Sequence, residues 1–267
     1  MASTGSGAPM PDRARRAIAT ALCFATFGAG GLLIGAVLFP LLMLVLRDSG
    51  HCAASARRII RHGFSGFVAM MRGLGVLTLE VHGADRLART GLLILPNHPT
   101  LIDVILLLAL VDNGSCIVKG SLLRNPFTWG PLRAARYVPN HQGPELLNDC
   151  LAAVAAGDNL VVFPEGTRTV PGRSHHLLRG AANIAVRSDC PVVPVVIRVS
   201  TPTLYKNAPT MHVPRTRPHF VVEVRPDFDM ALYRGSDSPY SVCARRLTQA
   251  LQDYYDMETH ARGSDRA

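Results

Sequence analysis

The sequence is short of aromatic residues, which make up 6% of it, and it has a single tryptophan. Proteins that grip nucleic acid interleave cations with stacking rings or carry a recognisable binding motif. Neither is present, so the formal net charge of +9 needs another partner. No glycine-rich phosphate cradle of the Walker or dinucleotide kind is found, which argues against nucleotide-driven and hydride-transfer chemistry. The six cysteines, at 23, 52, 116, 150, 190 and 243, show no paired or zinc-like spacing. Most lie in apolar runs and read as reduced core residues of a cytosolic domain. No Gly-x-Ser-x-Gly elbow marks a nucleophilic serine.

Charge is also missing from one long stretch. Residues 17–46 carry none, and as one helix they would reach about 45 Å, beyond a bilayer core of about 30 Å. Arg13, Arg15 and Arg16 precede the run; Arg47, Arg57, Arg58 and Arg61 come after it. The run extends too far for a cleaved signal peptide. Two forms fit: a tilted spanning helix, or a shallow hairpin turning at Gly28, Gly30 and Gly31. Cations at both ends favour the hairpin, because basic flanks stay on the cytoplasmic side. Over residues 51–72, Ile60, Phe64, Phe67 and Met71 form an apolar stripe beside arginines. That pattern suits a membrane-surface helix or a core helix with a basic outer face.

From residue 76 onward the pattern alternates. Strand-like runs lie at 76–81, 92–95, 116–118, 136–138, 160–163, 192–199 and 220–224. Helical patterns lie at 101–111, 144–156, 179–187 and 241–255. This predicts an α/β fold with a mixed, largely parallel sheet flanked by helices, behind an N-terminal membrane-associated helical segment. Residues 202–218 form a proline-punctuated loop.

Two strand ends carry the chemistry. After 92–95 comes Asn97-His98-Pro99-Thr100-Leu101-Ile102-Asp103. Residues five apart in one ideal helix point about 140° from each other. His98 and Asp103 therefore meet only if His98 precedes the first turn. Pro99 suits a first helical position, with Asn97 or His98 as cap. An imidazole held by a carboxylate has one tautomer and raised basicity, the property of a general base. The second strand end is Phe163-Pro164-Glu165-Gly166-Thr167-Arg168, placed where open α/β sheets bind ligands. Arg168 is suited to grip a phosphate and Gly166 to let backbone approach closely.

In that order and spacing, the motifs resemble the glycerolipid acyltransferase family, which includes the 1-acylglycerol-3-phosphate acyltransferases. His98 and Asp103 match its first block and Phe163 to Arg168 its third. The stretch from Cys190 to Val195 is similar to its fourth. Lys119, Leu122, Pro126 and Gly130 resemble half of its second block, with one extra residue between Pro126 and Gly130. The arginine that often closes that block is replaced near Asn140. The likeness covers about residues 75–225.

The resemblance implies transfer of an acyl group from a thioester, acyl-CoA or acyl carrier protein, to a lysolipid hydroxyl. The most expected acceptor is 1-acylglycerol-3-phosphate, in phospholipid synthesis; another lysophospholipid, a glycolipid or a specialised lipid is the alternative. His98 and Asp103 would be catalytic. Glu165, Gly166, Thr167 and Arg168 would bind the acceptor, with Lys119, Arg133, Arg136 and Arg179 as further cations. Neither metal nor cofactor is expected. A hydrolase recruiting Ser121 or Thr100 and a non-catalytic lipid-binding protein are the rival classes. His82, His141, His175 and His176 lack the spacing of a metal site, and His175 and His176 read as an exposed loop. The expected organisation is a disordered basic N-terminus (1–16), a membrane-anchoring segment (17–72), the acyltransferase domain (73–257) and a tail (258–267). The expected location is the inner membrane, with the catalytic domain facing the cytoplasm.

Overall fold

A computed structural model describes residues 10–47, 50–140, 144–170, 175–207, 213–234 and 238–260; His141 lies outside them. The first described elements are helix α1 (Met10–Leu33), a π-helical turn (Ile34–Leu38), and helices α2 (Phe39–Leu46) and α3 (Gly50–Gly73). Then come β1 (Thr78–His82), β2 (Leu93–Pro96), α4 (Asp103–Leu110), β3 (Gly114–Lys119), α5 (Pro126–Ala134) and β4 (Val138–Asn140). The rest is α6 (Pro144–Ala155), β5 (Asn159–Val161), α7 (Arg179–Arg187), β6 (Val192–Val199), β7 (His219–Val224) and α8 (Tyr240–His260).

The strands form one sheet in the order β1-β7-β6-β2-β5-β3-β4. The last five in that order are parallel; β7 turns antiparallel on β6, and β1 pairs parallel with β7. Because the inner strands are covered on both faces, they are almost wholly aliphatic, as buried parallel strands must be. All four residues of β2 are buried, and so are the first six of β6. Side chains alternate between two cores. Ile94, Val193 and Val195 meet α3 and α4 on one face. Leu93, Leu95, Val192 and Val196 meet α7 and α8 on the other. All six cysteines are free and buried.

The hairpin expected near the N-terminus is not formed: the chain stays helical from residue 10 to 46. Gly28, Gly30 and Gly31 remain inside α1, since a helical glycine costs only about 1 kcal/mol and need not break the helix. The irregularity falls instead just before Pro40, whose ring conflicts with the carbonyl four residues back; the π turn absorbs that conflict. The helix lies along the domain. Near its start, buried Arg16 donates to the carbonyls of Pro214 and Arg215 at 2.9 and 2.7 Å. Further along, Gly130 of α5 lies so close to the Gly35 carbonyl that a Cβ there would collide. The outer face stays bare, with Ile18 73% and Leu44 76% exposed.

Other boundaries move too. The segment before residue 17 is helical from Met10, and α8 runs through Glu258 and Thr259, so the expected tail starts later. Arg57 is a buried staple rather than part of a basic outer face. It pairs with Asp158, its Nη2 2.7 Å from Oδ2, and its Nε donates to the Ala135 carbonyl at 2.9 Å. The Ile60, Phe64 and Phe67 stripe packs against the core that contains Met71.

Candidate active site

The carboxyl ends of β6, β2, β5 and β3 lie side by side, so the loops that leave them share one edge. His98 comes after β2, the Glu165 segment after β5, Lys119 ends β3, and the loop after Val199 returns toward β7. Asn97 fixes the first of these loops. Its side chain donates to the Ile197 carbonyl at 2.9 Å and accepts from the Ile197 N–H at 2.6 Å. It thereby continues strand pairing after the strand has stopped.

The next residues turn the chain. The helix starts at Asp103, four residues later than a Pro99 start would place it. Asp103 is fully buried, and its carboxylate reaches back over its own turn. Oδ2 accepts from the His98 Nδ1 at 2.9 Å and from the Thr100 N–H at 2.7 Å; Oδ1 accepts from the Thr100 hydroxyl at 2.5 Å. His98 thus stands outside the helix, which is how two residues five apart come together. Burial pushes the Asp103 carboxyl above its ordinary value, and the hydrogen bonds from His98 and Thr100 oppose the shift. The His98 ring lies 4.1 Å from the Phe163 ring, centre to centre, and its side chain is 18% exposed. With Nδ1 occupied by Asp103, Nε2 is the nitrogen left for a substrate.

Glu165 is bonded into the loops of the site. It is buried, and its Oε1 accepts from the His98 backbone N–H at 3.0 Å and the Thr169 hydroxyl at 2.9 Å. It ties the third motif to the first, as does the Thr169 N–H donating to the His98 carbonyl at 2.7 Å. Gly166 needs no side chain because its φ is +64°. Thr167 is exposed. Arg168 spends one arm of its guanidinium on the loop after β6, Nη1 donating to the Leu204 and Tyr205 carbonyls at 2.9 and 3.0 Å. The Leu204 carbonyl also accepts from the Leu101 N–H at 3.0 Å. Leu204 itself has a φ of +47°, a conformation costly for a leucine and kept here by those bonds.

The remaining cations divide. Lys119 is exposed at the end of β3, in register with Asn140 at the end of β4. The lysine therefore stands beside the position where an arginine is missing. Arg179 is exposed at the first residue of α7. Arg133 and Arg136 precede β4. They flank Ala135, whose carbonyl meets Arg57 and, through it, Asp158 at the amino end of β5. Together with Trp129 and Tyr137 they line a separate groove, where the Arg133 guanidinium lies 5.8 Å over the Trp129 ring.

Four contributors are not evident from the sequence alone: Asn97, Thr100, Thr169 and His175. Thr100 has a usable signal, because Thr-x-x-Asp is a capping pattern in which the acid reaches back to the threonine N–H, as Asp103 does here. The expectation for His175 is corrected. It is buried, not exposed, and its Nδ1 lies 3.3 Å from Glu165 Oε1.

Residues 78–198, from β1 to the penultimate residue of β6, match the family model described as Acyltransferase. The match includes the His98–Asp103 pair and the Glu165–Arg168 segment. That part of the chain is an acyltransferase-like domain, and its sequence is similar to those of glycerolipid acyltransferases. Similar curated proteins include the 1-acyl-sn-glycerol-3-phosphate acyltransferase of Cocos nucifera, 24% identical over 177 residues, 62% of this chain and 55% of that one. The Pseudomonas aeruginosa enzyme of that name is 24% identical over 148 residues, 53% of this chain and 58% of that one. The matched part thus spans about half the length of these relatives. The fold is also similar to the crystal structure of the 1-acyl-sn-glycerophosphate (LPA) acyltransferase PlsC from Thermotoga maritima. The TM-score is 0.61 at 19% identity, covering 91% of this chain and 97% of that one.

Proposed function

We propose that this protein transfers a fatty acyl group from an acyl thioester to the free hydroxyl of a lysolipid, with 1-acylglycerol-3-phosphate as the best-fitting acceptor. The observation that carries this reading is the His98 imidazole, held through Nδ1 by buried Asp103 at the carboxyl edge of the sheet, so that Nε2 is the nitrogen left for the acceptor. Nε2 takes the acceptor's hydroxyl proton as the oxygen attacks the thioester carbonyl. Asp103 holds the tautomer and stabilises the imidazolium. The tetrahedral intermediate collapses, the thiolate leaves, and the imidazolium returns a proton to it. No covalent acyl-enzyme is needed, and the thioester supplies the activation without metal or cofactor. Acyl-CoA and acyl carrier protein are both acidic donors that suit a chain of net charge +9.

Lys119 is the cation best placed to meet the acceptor's phosphate, and Arg179 is its companion. Arg168, with one arm committed to Leu204 and Tyr205, frames the site. The bare outer face of α1 and α2 supports a seat in the membrane. Because Arg16 and Gly35 both touch the domain, we read the helix as lying in one leaflet, leaving both its ends on the cytoplasmic side of the inner membrane. Access of a cysteine placed at residue 13 to an impermeant label, in sealed vesicles, checks that topology; labelling only from the far side contradicts it. The test of the reaction is mass spectrometry of products from purified protein given acyl-CoA or acyl carrier protein and a panel of lysolipids. A diacylated product made preferentially from 1-acylglycerol-3-phosphate supports the reading, and release of free fatty acid alone overturns it.

A further inference from the structure

Glu165 raises a physical question that acyl transfer by His98 does not answer. A buried carboxylate must be matched by donors and by an opposite charge, or it destabilises the site that contains it. Two donors are accounted for, the His98 backbone N–H and the Thr169 hydroxyl. The arginine three residues along the chain faces the Leu204 and Tyr205 carbonyls. Among the described residues, the one His, Lys or Arg side chain recorded within 4 Å of the Glu165 carboxylate is His175, its Nδ1 3.3 Å away, in contact but without hydrogen-bond alignment, with both side chains 5% exposed.

The surroundings of His175 are built. Helix α8 presents Gln252, Asp256 and Thr259 on one face, at the spacing of successive turns. Gln252 accepts from the Leu177 N–H at 3.4 Å and Asp256 from the His175 N–H at 3.1 Å. The Thr259 hydroxyl donates to the Tyr255 carbonyl at 2.7 Å, which leaves a lone pair toward His175 Nε2 at 3.4 Å. Tyr255 packs beside the ring, 6.0 Å between centres. Burial, then the neighbouring Tyr254 and Glu165, push its phenol far up, so it stays a neutral donor to the Leu95 carbonyl. Helix α8 thus holds one histidine beside the carboxylate that accepts from the backbone of the other.

We propose that His175 is a positioning residue for acyl transfer: it seats Glu165, and through Glu165 it sets the backbone at His98. The line runs from Thr259 through His175 and Glu165 to the His98 N–H, across residues far apart in sequence. The proposal rests on the acyltransferase reading for its kinetic consequence but not for its geometry, and the test uses both. Leucine at 175 keeps bulk and removes both ring nitrogens, whereas asparagine retains an amide N–H near the position of Nδ1.

The experiment compares His175→Leu and His175→Asn with the wild type as full-length protein in detergent, selectively labelled with 15N-histidine. His175→Leu is expected to lower kcat by about ten- to a hundredfold, as for small misplacements of a catalytic group, with both KM values within about twofold. The His98 backbone amide resonance shifts, and His175→Asn restores most of the rate and the resonance. A role in stability alone would lower the melting temperature while kcat per folded molecule and the His98 resonance stay put; that result overturns the proposal. If His175→Leu does not fold, Thr259→Val, which loosens the far edge of the ring, is read by the same resonance, and an unmoved peak is again contradictory. A shifted resonance in a protein that shows no acyl transfer with any donor would keep the positioning role and remove the acyltransferase reading instead.

Discussion

Two buried charged clusters sit at opposite ends of the same sheet. At the amino end, Arg57 of α3 pairs with Asp158 through both arms, and it also reaches Asn113 Oδ1 at 3.0 Å and the Ala135 carbonyl. At the carboxyl end, Asp103 and Glu165 are met by histidines, at 2.9 and 3.3 Å. The first cluster uses a guanidinium that spends its donors on protein acceptors. The second uses imidazoles and, with Nδ1 of His98 held by Asp103, leaves the other nitrogen of that ring uncommitted. Both clusters stand at junctions where loops meet strands, and both cost desolvation. Their chemistry separates them: a guanidinium bonded to protein acceptors holds parts together, and an imidazole with a spare nitrogen can act on a substrate.

That contrast can be broken by substitution. The largest expected effect is on catalysis at His98, where removing a general base lowers the rate by about 10² to 10⁴, with little change in the melting temperature. Arg57→Ala is the mirror image. It leaves Asp158 buried without its partner and should destabilise the fold by about 3–5 kcal/mol. Denaturant titration checks it, and the refolded fraction should retain normal turnover. A loss of turnover without loss of stability in Arg57→Ala would erase the distinction between the two ends.

Asp103→Asn sharpens the comparison by separating activity from stability in one residue. Because burial raises the folded carboxyl above its ordinary 3.8, the native state binds this proton more tightly than the unfolded chain. The stabilisation linked to that proton is fully present below 3.8 and fades as pH rises through the folded value, so the ionised carboxylate is a cost at neutral pH. The asparagine variant should therefore lose most activity yet melt no lower than wild type at pH 7, with any advantage shrinking as pH falls toward 3.8. Thermal scans across pH decide this; a variant that melts well below wild type at neutral pH contradicts it.

The smallest effect belongs to the open rim. Lys119 is exposed, and exposed ion pairs contribute about 0.2–1 kcal/mol. Lys119→Gln should then raise the KM for 1-acylglycerol-3-phosphate by about two- to fivefold and leave that for the acyl donor unchanged. Asn140→Arg, which returns a cation beside it, should lower the same constant. Equal effects on neutral lysolipids would remove Lys119 from phosphate binding.

The parts of this molecule that are legible in the sequence are those set by local pattern. The aliphatic run of β6 and the small-residue helix α7 fall at their expected bounds, because burial on both faces and helical periodicity each leave a continuous trace. The meeting of His98 with Asp103 comes from spacing alone. Helix α5 is hidden, since Gly130 and Pro131 disguise it; the glycine is there for its crossing with Gly35. The partners of Arg57, Arg168 and His175 are not visible in the sequence for a common reason. Each is fixed by acceptors distant in the chain: Asp158 for Arg57, Leu204 for Arg168, and Glu165 under the cover of α8 for His175. Pattern within a short window of sequence does not connect such partners.

The most direct test compares wild type and His98→Ala, each shown to be folded, in a single-turnover reaction with acyl thioester and 1-acylglycerol-3-phosphate. Released thiol and new diacyl product are counted together. The account predicts equal amounts of the two from the wild type, and transfer slower by about a hundredfold or more in the variant at an unchanged melting temperature. Thiol release without diacyl product, or a folded His98→Ala protein that transfers at the wild-type rate, would contradict it.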